Sequence, residues 1–170
     1  MKPITLLQTA IWPALAELEA LGIKSADVQA GQRAARFLLA IALQESGLRY
    51  RRQVVAGGAE NGPASSFWQF EKGGGCKGVL AHRSTAQPMV AICAGYNVAP
   101  DAQSLWEAMR YQDIVAACAA RLLIYTLPGL LPDNASQGWA QYVDAWRPGK
   151  PHPETWAENW KLASETVGVA

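Results

Sequence analysis

Glu45 is the first residue whose type and setting suggest chemistry. Projected at about 100° per residue, it falls on the same line as Ala34, Leu38 and Ile41, within an apolar helical stripe. Burial disfavours a charged carboxylate. A glutamate placed there keeps its proton to a higher pH than usual, as a general acid acting on a neutral leaving group must. Periodicity alone leaves a second account open, in which Glu45 ends a fraying helix and reaches water beside Gly47. Two further carboxylates, Glu60 and Glu71, follow in a glycine-rich stretch, either as partners for Glu45 or as solvated loop residues.

Other chemistries find less support. Gly73-Gly74-Gly75-Cys76-Lys77-Gly78 has the look of a phosphate loop but lacks the Ser/Thr after the lysine and the strand before it, and reads as a flexible loop. Cys76, His82 and Cys93 lack the paired spacing of a zinc site, and the odd total of three cysteines does not suit a disulfide framework. Neither a metal nor a cofactor is expected. Fifteen basic against 14 acidic residues give a formal charge of +1, no field for a nucleic-acid partner. The local run Arg49-Tyr50-Arg51-Arg52 is either a solvated loop or a contact for a polyanionic or sugar-rich ligand.

The elements that must carry these residues are mostly helical. A first helix runs from Pro3 to Leu21 and stops at Gly22. Ser25 caps a second, from about Ala26 to Ser46, which ends at Gly47. Residues 48–80 change character, with glycines, the β-branched pair Val54-Val55 and the cluster Phe67-Trp68-Gln69-Phe70. They suggest a small hairpin followed by a long loop. Helical patterns resume near 85–95, 102–110, 112–127, 136–146 and 154–166, with Ser84 and Gln87 as a capping box. The expectation is one α+β domain over residues 1–170, predominantly α. Half the residues are hydrophobic, but no run of about 18 uncharged apolar residues exists, so no membrane span is expected.

Ala42-Leu43-Gln44-Glu45-Ser46-Gly47-Leu48, followed about twenty residues later by Gly62-Pro63-Ala64-Ser65-Ser66-Phe67-Trp68-Gln69-Phe70, resembles the paired signature of the lytic transglycosylase and goose-type lysozyme families. There a glutamate followed by serine ends a buried helix, and a Gly-Leu-Met-Gln-like turn faces it across a cleft. Ser66-Phe67-Trp68-Gln69 stands in for that turn, with Ser66 at the usual glycine position. Ala116 to Leu123 is similar to the family's alanine-rich core helix, and Tyr142 to the tyrosine of its Tyr-Asn motif, although Val143 follows here. The resemblance spans roughly residues 35–147.

The resemblance implies a lysozyme-like fold that cuts peptidoglycan glycan strands between MurNAc and GlcNAc. Glu45 would be the acid/base, with Ser46, Ser66, Trp68, Gln69 and Tyr142 around the substrate. Glutamate-only transglycosylase chemistry is preferred over inverting hydrolysis with Glu60 or Glu71 as second carboxylate. A non-catalytic glycan-binding module and a virion or secretion-machine structural protein are the readings of another class. The resemblance suggests a bacteriophage source, with release through a holin-made hole or carriage in the virion; Met1 to Leu7 lacks the long apolar run of a signal peptide, so a monomer made in the cytoplasm is expected. Of the seven tryptophans, Trp139, Trp146, Trp156 and Trp160 crowd the last quarter of the chain, and Trp156 and Trp160 read as core. Trp68 could equally line the cleft, and residues 146–151 form a plain inter-helix loop or close one end of it.

Overall fold

The computed structural model describes residues 1–23 and 28–169. The expected cap at Ser25 lies outside the described residues. The chain begins with α1 (Pro3–Leu6), a single π turn (Leu7–Ile11) and α2 (Trp12–Ala20), which run on as one rod. The widened turn sits immediately before Pro13. Proline offers no N–H to the carbonyl four residues back and its ring crowds that carbonyl, so a π turn there relieves both. Gly22, at φ +86°, ends the rod as expected.

The centre of the molecule is α3 (Val28–Ser46), in which every residue from Ala34 to Leu43 is buried. It is therefore buried around its whole circumference in that stretch, Arg36 included, where the sequence suggested a single apolar stripe, and it packs most extensively on α9 (Pro153–Val167). The second central helix is α7 (Asp113–Tyr125), buried from Val115 to Leu122. Its alanines let α2, α4 (Lys77–Ala81) and α5 (Ala86–Gly95) approach closely. The helices α6 (Ala102–Ala108) and α8 (Ala135–Trp146) complete the set. Their first turns are capped by Asp101, accepting from the N–H groups of Gln103 and Ser104, and by Asn134, accepting from that of Gln137. One contiguous apolar cluster reaches from Leu6 to Ala163.

Between α3 and α4 the chain makes its only described sheet, antiparallel β1 (Ala64–Ser65) and β2 (Phe70–Glu71), with Ala64 opposite Glu71 and Ser65 opposite Phe70. The architecture is thus predominantly α with one small hairpin, as expected, but the hairpin is not at Val54-Val55. Those residues lie in an exposed irregular segment, and the hairpin instead folds around Ser66–Gln69. Two other expectations also change. Gly73-Gly74-Gly75 is wound into a π turn (Lys72–Cys76) that leads directly into α4, because Cys76 is fully buried beside Met109 and draws the segment inward. The Ser84–Gln87 capping box does not form. Thr85 precedes α5, and its hydroxyl donates back to Val79 O.

The basic run is structural in its second half. Arg51 pairs with both carboxylate oxygens of Asp113 and stacks on Phe67, while Arg52 stacks on Trp106 and donates to Gly62 O. Each guanidinium anchors the loop 48–63 to the helical body, so neither is spent on a ligand. Cys76, Cys93 and Cys118 are all buried free thiols. Among the described residues, no helix is long and apolar enough to cross a membrane.

Candidate functional site: a cleft at the end of the central helix

The end of α3, the hairpin and the end of α8 converge on a cleft of about 720 Å³, within the range of small-ligand sites. Glu45 occupies its inner wall. It lies in the last turn of α3, half-buried, just where the helix emerges from the core. Burial is the main cause that raises its carboxyl from an ordinary 4.5 to about 7. The opposing influence is Tyr142, whose hydroxyl donates to Glu45 Oε1 at 2.6 Å and favours the ionised form. The negative end of the α3 dipole works in the same direction as burial. The two sequence accounts of Glu45 both hold a part of the truth: it ends its helix, yet it does so in a partly desolvated cleft.

Ser46 has a task the spacing of the motif did not show. Its Oγ lies 2.9 Å from both Ala42 O and Phe67 O, and accepts from Leu48 N at 3.2 Å. The hydroxyl therefore bolts the end of the glutamate helix to the facing turn. It sets the distance across the cleft without lining the cleft.

The turn itself is built on two left-handed residues, Ser66 at φ +69° and Gln69 at φ +51°. A side chain is strained there. At Ser66 the strain is offset locally, because its hydroxyl accepts from Trp68 N and its carbonyl accepts from the Gln69 side-chain amide at 2.8 Å. Ser66 is fully buried, so it shapes the turn and does not face the cleft. Gln69 and Glu71 do line it.

Trp68 is a correction to the expectation that left it open as a sugar platform. It is 0% exposed, and its Nε1 donates to Leu38 O in the middle of α3. A ring that large in the core of a tight turn locks the turn to the helix. Its backbone carbonyl accepts from Trp146 Nε1, which brings the end of α8 onto the same turn.

Tyr142 is 3% exposed and touches the carboxyl group, so it positions Glu45 and is not itself a wall of the cleft. It is held by a ring stack with Trp156 at 5.3 Å and by tilted contacts with Trp139 and Trp146. Trp156 is core, as expected, while Trp139 and Trp146 are only partly buried against it, and all three are the mounting of the glutamate's partner.

Glu60 is exposed and does not line the cleft, whereas Glu71, fixed opposite Ala64 in the hairpin, does. The sequence reading missed Asp144 and weighed Arg147 and Lys150 only as part of the segment 146–151; all three line the cleft. Residues 146–150 do close one end of the cleft, against the plain-loop reading that the sequence favoured. The signal was present in Trp146 followed by a Pro-Gly break. What could not be seen was Arg147 in the left-handed conformation at φ +47°, which turns the chain back over the site.

A scan against protein-family models, a search of curated proteins and a search of solved structures each find no match to this chain.

Proposed function

We propose that the chain is a lysozyme-like enzyme that cleaves the β-1,4 bond between MurNAc and GlcNAc in peptidoglycan, with Glu45 as the acid/base. The observation that carries this reading is a half-buried carboxyl group on the wall of an open cleft, raised to about 7 and held by a single phenolic hydrogen bond. A glycosidic oxygen must be protonated as it leaves, and a group with a value near neutrality can both give that proton and take one back.

In the preferred form of the reaction Glu45 protonates the leaving oxygen and the C1–O4 bond breaks. The 6-hydroxyl of the same sugar closes on C1, and its proton passes to the Glu45 carboxylate. The enzyme is restored and the new end is a 1,6-anhydro sugar. One carboxyl group suffices, which agrees with a value placed between the two roles. The resemblance of Glu45-Ser46 and the Ser66–Gln69 turn to lytic transglycosylases supports the same choice. So does Ser46, which ties the two halves of that signature together by a hydrogen bond.

One observation favours a second form. Glu71 shares the cleft and is held in register by the hairpin, as a base that activates water in an inverting hydrolase would be. Glu60, off the cleft, is not a candidate for that role.

The test is mass spectrometry of the fragments released from purified peptidoglycan. Anhydro ends support the transglycosylase, and reducing ends, heavier by one water, support the hydrolase. No soluble fragment at all, from protein shown to be folded, overturns the enzyme reading and leaves a glycan-binding or structural protein.

A further inference from the structure

A second cavity, of about 440 Å³, lies on the other side of Leu127 from the candidate active site. It is bounded by α7, the start of α3, the loop 128–131 and Gln141 of α8. Gln141 closes the loop over it by donating to Leu130 O.

One of the lining residues is out of keeping with the rest. Arg121 stands among the alanines of α7, only 5% exposed. Among the described residues no carboxylate pairs with it and no acceptor meets its five N–H groups. Its guanidinium lies over the Tyr125 ring, with Cζ 5.4 Å from the ring centroid. Burial lowers its pKa, opposed by the Tyr125 phenol and by no carboxylate. A nearly buried cation with no carboxylate beside it has lost hydration that a bound anion would replace. Every other buried or half-buried arginine facing this side of the molecule has a compensating group. Arg33 is paired with Asp133 at 3.3 Å, and Arg36 donates to Pro132 O and Asp133 O.

We propose that this cavity is a binding site for a monocarboxylate bearing a small apolar body, with Arg121 as its anchor. Among the described residues the free charge in the pocket is a single one, since Arg33 is paired with Asp133, which suits a monoanion and not a phosphate dianion. The walls supply the rest of the match. Ile124, Leu127, Pro128 and Leu131 are apolar, and the Arg121 fork can hold both carboxylate oxygens at once. This site does not depend on the glycan reading of the first cleft.

The experiment titrates the whole protein with hexanoate and with N-acetyl-alanyl-alanine, each beside its own amide. It reads the Arg121 Nε–Hε resonance and the melting temperature. The expected result is a saturable shift and a rise in melting temperature with at least one acid and with neither amide. Which acid acts separates a fatty carboxylate from a peptide terminus. In Arg121→Met the melting response should vanish, and Arg121→Lys should bind at least tenfold more weakly.

No response to either acid, an equal response to the amides, or saturation by inorganic phosphate alone overturns the proposal. So does an undiminished melting response in a folded Arg121→Met protein. The comparison of acid with amide is made on the wild type and holds whether or not the variants fold.

Discussion

The phenolic hydroxyl of Tyr142 donates to Oε1 of Glu45 at 2.6 Å, joining the last turn of α3 to α8 across 97 positions of sequence. Because the bond favours the ionised carboxyl, its removal raises the Glu45 pKa above about 7. Tyr142→Phe should therefore move the alkaline limb of the kcat/KM profile to higher pH, with a loss of stability of about 1 kcal/mol. A role confined to packing would lower the melting temperature and leave the pH profile where it was.

Glu45 also makes stability depend on pH in a defined window. Its carboxyl ionises near 4.5 in the unfolded chain and near 7 in the folded one, so between these values the folded state holds the extra proton. Stability is full below about 4.5 and is lost as the pH rises through 7. The difference is at most about 3 kcal/mol, and smaller to the extent that the half-buried carboxyl is screened by water. Glu45→Gln should match the wild type in melting temperature at pH 4 and exceed it at pH 8. Equal melting temperatures at both would mean that Glu45 ionises as an ordinary carboxylate.

Gly138 holds α8 at its working distance. A Cβ there would overlap the Trp160 ring of α9, and α8 carries both Tyr142 and Trp146. Gly138→Ala should cost about 1–3 kcal/mol through overpacking. It should also cut activity by drawing Tyr142 from Glu45, with both losses partly recovered when Trp160→Leu is added. Wild-type melting and activity in the single variant would contradict this packing.

Gln69 faces the cleft while its amide braces Ser66 O. Gln69→Ala should lower activity with a change in stability of no more than about 1 kcal/mol, read as a small shift in melting temperature. A loss of several kcal/mol without a specific loss of activity would make it part of the scaffold alone.

Much of this was legible in the residues. The later helices stand where their periodicity put them, because their apolar faces meet two central helices of the same period. Glu45 was legible because a carboxylate on an apolar line is costly wherever it points. The hairpin was not, since strands of two residues are too short for alternation to register, and Val54-Val55 offered a stronger β pattern although it lies in no strand and its surroundings form an isolated bridge, Arg52 to Ser65, and a bond from Val55 N to Ala59 O. Trp68 and Ser66 misled for a related reason. A motif fixes a turn, but which of its side chains points inward depends on two positive φ angles that no composition reveals. The segment of Arg147 and Lys150 read as a plain loop in preference to an end wall because it enters the cleft by one left-handed residue after α8.

The central claim is that Glu45 transfers the proton. The most direct measurement compares the initial rate at which wild type and Glu45→Gln solubilise purified peptidoglycan at neutral pH, with folding of both checked by melting. The substitution keeps the shape and the acceptor for Tyr142 while removing the transferable proton. The rate should fall by about a thousandfold or more, on the order of 4 kcal/mol of barrier. A folded Glu45→Gln protein that stays within tenfold of a wild type that does solubilise the wall would contradict the account.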